Sequence, residues 1–191
     1  MKRILLAIVL LLAFGTREVS AFGYDWGLTG GVNMTKLKVK NATIANFSTE
    51  NWAGWFVGPK VNLSLIAGVG ADAAVLYNQQ QIGTQTGDEL WRSLEIPINA
   101  RYNIGLGKVA SVYIATGPQF GFNLGNFKGF DTENMYTTWN IGAGVKLLGR
   151  LEVGLGYNFG LGKLGEWVDM PNSQAGSLKK NAFQLKAAVY F

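Results

Sequence analysis

The chain has 191 residues, 17 Lys and Arg against 12 Asp and Glu, and neither cysteine nor histidine. Without Cys an exported fold has no disulfides, and without His there is no Ser-His or Cys-His nucleophile pair, no His general base and no His-ligated metal. Most hydrolase mechanisms fall with them.

At the N-terminus Lys2 and Arg3 precede an unbroken apolar run from Ile4 to Phe14, and Val19-Ser20-Ala21 offers small residues for cleavage. This is the pattern of a secretory signal peptide over 1–21, with the mature domain over 22–191. The run is shorter than the ~20 residues a spanning helix needs, and no later segment reaches that length. Removing 1–21 leaves 14 basic and 11 acidic residues. They are dispersed, so no nucleic-acid surface is expected. Lys36, Lys38 and Lys40, with Glu50, read as a solvated loop.

From there on the chain alternates with period 2, the signature of strands. Trp26, Leu28, Val32 and Met34 oppose Thr29, Gly31 and Asn33, the weakest pattern because Gly30 interrupts its apolar face. Trp55, Val57, Pro59, Val61 and Leu63 oppose Gly58, Lys60 and Asn62. Val69, Ala71, Ala73, Val75 and Tyr77 oppose Gly70, Asp72, Ala74 and Asn78. Leu94 to Tyr102 places Glu95, Pro97, Asn99 and Arg101 on its polar face. Val112 to Phe122 follows, then Trp139 to Leu147 with Lys146, Leu151 to Leu161 with Glu152, and Phe183 to Phe191 with Lys186. Eight strands result.

Their links alternate in length. Short ones fall at 64–68, 103–108 and 148–150; long polar ones at 36–51, 79–90, 124–135 and 162–180. This is the plan of an all-β, eight-stranded antiparallel up-and-down transmembrane barrel, with both termini on the short-turn side and four external loops. A soluble barrel with an apolar interior alternates too. Aromatic placement favours the membrane. Trp55, Tyr77, Trp91, Phe122, Trp139, Phe159 and Phe183 gather near the long-loop end, and Trp26, Tyr102 and Phe191 near the short-turn end, as interfacial girdles do. The last strand, with apolar residues at alternate positions and a terminal Phe191, resembles the signal that outer-membrane assembly machinery reads. Outer-membrane lipid and that machinery are therefore the expected partners.

The segments WGLTGGVNMTKL, AAVLYNQQQIG, SLEIPINARY and YIATGPQFGF also resemble blocks of the outer-membrane beta-barrel family common in Bacteroidetes, which includes PorT-like proteins. The resemblance runs over residues 22–191, with Asn99 and Ala100 departing from the apolar residues usual after LEIP. It implies an eight-stranded barrel in the bacterial outer membrane and no shared catalytic residues.

Seven charges occupy the polar face: Lys60, Asp72, Glu95, Arg101, Lys146, Glu152 and Lys186. An eight-stranded barrel is only wide enough for side chains, so they read as a paired structural core, with an ion path as the alternative. Glu95 and Arg101 are too far apart along one strand to pair, so partners are expected from neighbouring strands. Gly154, Gly156 and Gly160 have nearly the spacing of a dinucleotide loop, but the strand continues through them and no helix follows. They read as lumen-facing positions that leave room for larger side chains on adjacent strands. Asp88-Glu89 reads as a solvated loop, and the N-x-S/T matches at Asn33, Asn41, Asn46 and Asn62 as accidents of composition. The link 162–180, carrying Trp167, Met170 and Pro171, is the best candidate for contacting an extracellular or periplasmic partner. No cofactor, metal or catalytic residue is read. The expected function is non-enzymatic, structural or binding, through the loops; a small porin-like channel is the second reading and a lipid-acting enzyme the third.

Overall fold

The structure, a computed structural model, describes residues 23–40, 52–84, 87–106, 109–125, 130–132, 134–161, 165–167 and 177–191. The proposed signal peptide lies outside them. The strands are β1 (Gly23–Lys40), β2 (Trp52–Ser64), β3 (Val69–Ala74), β4 (Leu76–Thr84), β5 (Gly87–Leu106), β6 (Ala110–Asn123), β7 (Phe130–Thr132), β8 (Met135–Leu147), β9 (Leu151–Gly160), β10 (Gly165–Trp167) and β11 (Ser177–Tyr190). β3 and β4 form one wall strand. Ala74 faces Lys60 and Tyr77 faces Val57 in the same register, so nothing slips at Val75.

The wall thus has eight strands, each antiparallel to its sequence neighbour, and β1 pairs with β11 to close the ring. Closure is what lets a sheet dispense with edges. Cross-strand partners followed from Tyr24 pass through Leu63, Ala71, Ala100, Thr116, Ile141, Tyr157 and Phe183, and return to β1 at Met34. That stagger of ten residues over eight strands corresponds to a strand tilt of about 40°.

Alternation places the two faces as the sequence suggests. Leu151, Val153, Leu155, Tyr157 and Phe159 are exposed outward, while Glu152, Gly154, Gly156 and Asn158 are buried. Outward residues elsewhere include Leu28, Val57, Ile98, Ile114 and Ile141, all apolar and exposed. Most large buried side chains are polar, among them Glu95, Glu152, Gln80 and Gln119. A soluble protein has the opposite arrangement. One cluster of buried apolar side chains, Phe56, Ala74 and Leu76, is small.

Several strands run further than hydrophobic alternation indicates. Residues 36–40 continue β1, 103–106 continue β5, and 177–180 begin β11. The expected 79–90 link is mostly hairpin, paired as far as Thr84 with Gly87, so Asp88 and Glu89 lie in β5. Outside a membrane the backbone ladder persists while the side chains turn polar, so hydrophobic period marks only the immersed part of each strand. Links 124–135 and 162–180 contain β7 and β10, which pair with each other, and Glu166 of β10 also faces Ser177 of β11. Met170 and Pro171 lie outside the described residues.

Candidate functional site: two charged layers in the lumen

Inward positions near the short-turn end meet in one network. Glu152 is its centre. One carboxylate oxygen accepts from Lys60 Nζ at 2.8 Å; the other pairs with Arg101 at 2.7 Å and accepts from the Tyr190 hydroxyl at 3.0 Å. Asp72 lies 3.5 Å from both Lys60 and Arg101 and accepts from Asn99 at 2.8 Å. The Arg101 guanidinium stacks 3.7 Å from the Tyr113 ring centre and donates through Nε to Asn103 at 2.7 Å. Lys146 pairs with Asp25 at 2.6 Å and lies over the Tyr190 ring. Asp25, Lys60, Asp72, Arg101, Tyr113, Lys146, Glu152 and Tyr190 represent all eight wall strands, so the layer spans the lumen.

A second layer lies nearer the long links. Glu95 accepts from Lys180 at 2.6 Å, Tyr136 at 2.6 Å, Asn78 at 3.0 Å and Gln119 at 2.8 Å. Asn33 extends it through Asn78, and Asn158 through Gln119. Lys180 also lies 4.5 Å from the Trp91 ring centre and 5.0 Å from that of Tyr136, within cation–π range. A carboxylate in low dielectric is stable only with such donors, and Glu95 and Glu152 both have them.

Among the described residues the lumen thus presents two layers of hydrogen-bonded ion pairs. Proteins of this architecture are defined by wall and lumen together, and both agree with a sequence-family match. Residues 5–191 match the family described as outer membrane protein beta-barrel domain.

The chain belongs to this family.

It is an outer-membrane β-barrel protein, and its place is the bacterial outer membrane. No curated protein matches it significantly. Among solved structures it is similar to Neisserial surface protein A, with a TM-score of 0.52 and 13% identity over 92% of this chain and 100% of that one. The outer membrane protein OprG from Pseudomonas aeruginosa is similar at a TM-score of 0.50 and 9% identity, over 89% and 95% of the two chains. At such identities the likeness is one of fold.

The barrel places all seven predicted charges on the lumen side but does not pair all of them. Lys60, Asp72, Arg101, Lys146 and Glu152 join the first layer and Glu95 the second. Lys186 departs from the expectation: it forms no ion pair among the described residues. Its ammonium lies between the layers, 3.5 Å from where a Cβ on Gly142 would stand and 3.8 Å from one on Gly156. Sequence reading missed Asp25, Lys180 and the tyrosines Tyr113, Tyr136 and Tyr190. Lys180 falls within a link predicted as a loop, and Tyr136 lies between the 124–135 link and the strand read from Trp139. Strand parity alone marks Tyr113 and Tyr190 as inward, although aromatic identity suggests the outer wall.

Of the three glycines expected to leave room for larger side chains, Gly154 does so and the other two do not. The Tyr113 hydroxyl occupies the space a Gly154 side chain would need, and the Tyr136 ring that of Gly121. A Cβ on Gly156 would make only ordinary contacts with Gln184 and Lys186, and one on Gly160 would stand 2.7 Å from the Lys180 carbonyl oxygen rather than against a large side chain.

One girdle assignment is overturned. Trp91 is 3% exposed and points into the lumen, because Leu90, Leu94 and Ile98 occupy the outward parity of β5. The aromatics Trp26, Trp55, Tyr102, Phe122, Trp139, Phe159 and Phe183 are exposed on the outer wall, with Tyr77 and Phe191 half-buried there. Corrected for the tilt, the upper set falls within about three residues of one height, and Trp26, Tyr102 and Phe191 about eight residues lower, roughly 20 Å along the axis.

Proposed function

We propose that the protein is a non-enzymatic barrel whose lumen is filled by side chains and whose function is structural or binding, exercised through its external links. The observation that carries this reading is the pair of charged layers in series, the first contributed to by all eight wall strands. An ion crossing the barrel would have to break buried, hydrogen-bonded ion pairs twice. The outward aromatics serve as interfacial anchors, the terminal strand as the recognition element for assembly machinery, and residues 1–21 as a cleaved export signal. The sequence blocks noted above support a place in the PorT-like branch. The external links are where an extracellular or periplasmic partner would bind; no nucleic-acid partner is proposed.

Planar-bilayer recording of purified, refolded protein is the test. The expected trace is flat; discrete open steps would support the small porin-like channel instead, and turnover in a lipid-hydrolysis assay would reinstate an enzymatic role.

A further inference from the structure

Between the two charged layers the lumen has a waist, where each wall strand contributes one inward residue. On the β1 to β5 side these are Gly31, Gly58, Ala74 and Pro97. Beyond them come Gly117, Gly142 and Gly156 on β6, β8 and β9, and Lys186 on β11. Corrected for the tilt, the eight fall within about two residues of one height. A lumen of this width is filled by side chains of ordinary size, so a ring with seven small ones leaves space.

The two sides of the waist differ. Phe56 lies over Gly31, its ring 2.7 Å from where a Cβ would stand, and with Ala74 and Leu76 it makes the β1 to β4 side apolar. Across the lumen no ring lies over Gly142 or Gly156. The side chains nearest their Cβ positions are Lys186, whose ammonium is 3.5 and 3.8 Å away, and Gln184 at 3.7 Å from the Gly156 position.

The Lys186 ammonium makes no hydrogen bond or ion pair among the described residues, yet it is not sealed off as Asn140 Oδ1 is. With an ion-paired layer above it and another below, the space it opens onto is the waist. Asp72 and Glu152 attract it from the first layer, but Lys60 and Arg101 repel it from the same layer. Both carboxylates already contact those two cations directly, and Arg101 Nη2 is itself buried without an acceptor. Three cations thus share two carboxylates at the floor of the waist. Water can fill such a space and accept from the ammonium, but it leaves the charge standing.

We infer that the waist is a binding site for one small monovalent anion of the halide class, held by Lys186 beside Gly142 and Gly156. The anion accepts from the ammonium and supplies the third negative charge. Both ends of the waist are closed by side chains, so the ion is taken up as the barrel folds and does not require conduction. The site is separate from the external links proposed to bind a partner.

Bromide is the probe. The barrel and a Lys186→Met variant are refolded in vesicles and titrated with urea at bromide concentrations from about 5 to about 500 mM, with methanesulfonate keeping the ionic strength constant. The wild-type unfolding constant is expected to fall about tenfold across this range, and that of the variant to stay level. An equal bromide response in the two proteins, or none in the wild type, overturns the proposal. Crystals of the wild-type barrel grown in bromide give a second reading that does not depend on the variant folding. An anomalous bromine peak beside the Lys186 ammonium is expected; water alone at that position overturns the site.

Discussion

At the scale of single residues the lumen is decided by which charges have partners. Glu152 holds Lys60, Arg101 and Tyr190 together, so Glu152→Gln leaves buried cations short of a countercharge. It is expected to destabilise the barrel by about 3–5 kcal/mol, measured by urea titration in lipid vesicles. Lys186, which makes no ion pair among the described residues, is the contrasting case. Lys186→Met exchanges a buried charge without a direct ion pair among the described residues for a side chain of similar length, and should leave stability unchanged or raise it in the same titration. Trp91 supplies a spectroscopic check on its inward position. A variant keeping only Trp91 should show little quenching by brominated lipid, whereas one keeping only Trp55 or Trp139, both exposed outward, should be strongly quenched.

At the scale of strands and turns, depth sets the cost of a charge. Leu155 faces outward midway between the two aromatic levels, and Leu63 faces outward near the lower one. Leu155→Arg should cost about 2–4 kcal/mol and Leu63→Arg at most about 1 kcal/mol. Equal costs in vesicle refolding would contradict the depth assigned to each. The β8–β9 turn has positive φ at both Leu148 (51°) and Gly149 (67°), closed by Arg150 N donating to Leu147 O at 2.9 Å. A leucine in the left-handed region is strained and this one is exposed. Leu148→Asn is therefore expected to stabilise by about 0.5–1 kcal/mol in the same assay. Strand ends were the least legible feature in the sequence. Asn-Gln-Gln-Gln lacks an apolar face, and in Lys-Leu-Lys-Val-Lys the apolar positions switch to the parity opposite that of Trp26 to Met34, yet the ladder carries on through both.

At the scale of the whole molecule the two layers act in series, and each should suffice to block ions. Emptying the first with Arg101→Ala and Tyr113→Ala is expected to leave bilayer recordings flat. Adding Tyr136→Ala and Lys180→Ala should then produce discrete conductance, provided gel mobility still shows a folded barrel. Steps appearing after the first pair alone would mean the second layer is no barrier. Ring closure makes this arrangement possible, because it brings Lys60 within 2.8 Å of Glu152, although 92 positions separate them in the chain.

Period-2 alternation, eight apolar faces, the short and long links and the absence of His and Cys determined the barrel class and inward charge positions from sequence alone. These properties are local, since a residue's face in a strand follows from its parity. The sequence could not say which charge meets which. That depends on the shear of the closed ring, which lifts each strand relative to the last and brings Glu95 to Lys180 and Arg101 to Glu152. Nor could composition turn Trp91 inward or leave Lys186 without a direct ion pair among the described residues. Identity suggests an outer anchor and a paired cation; parity and register, acting around the whole ring, place them where they are.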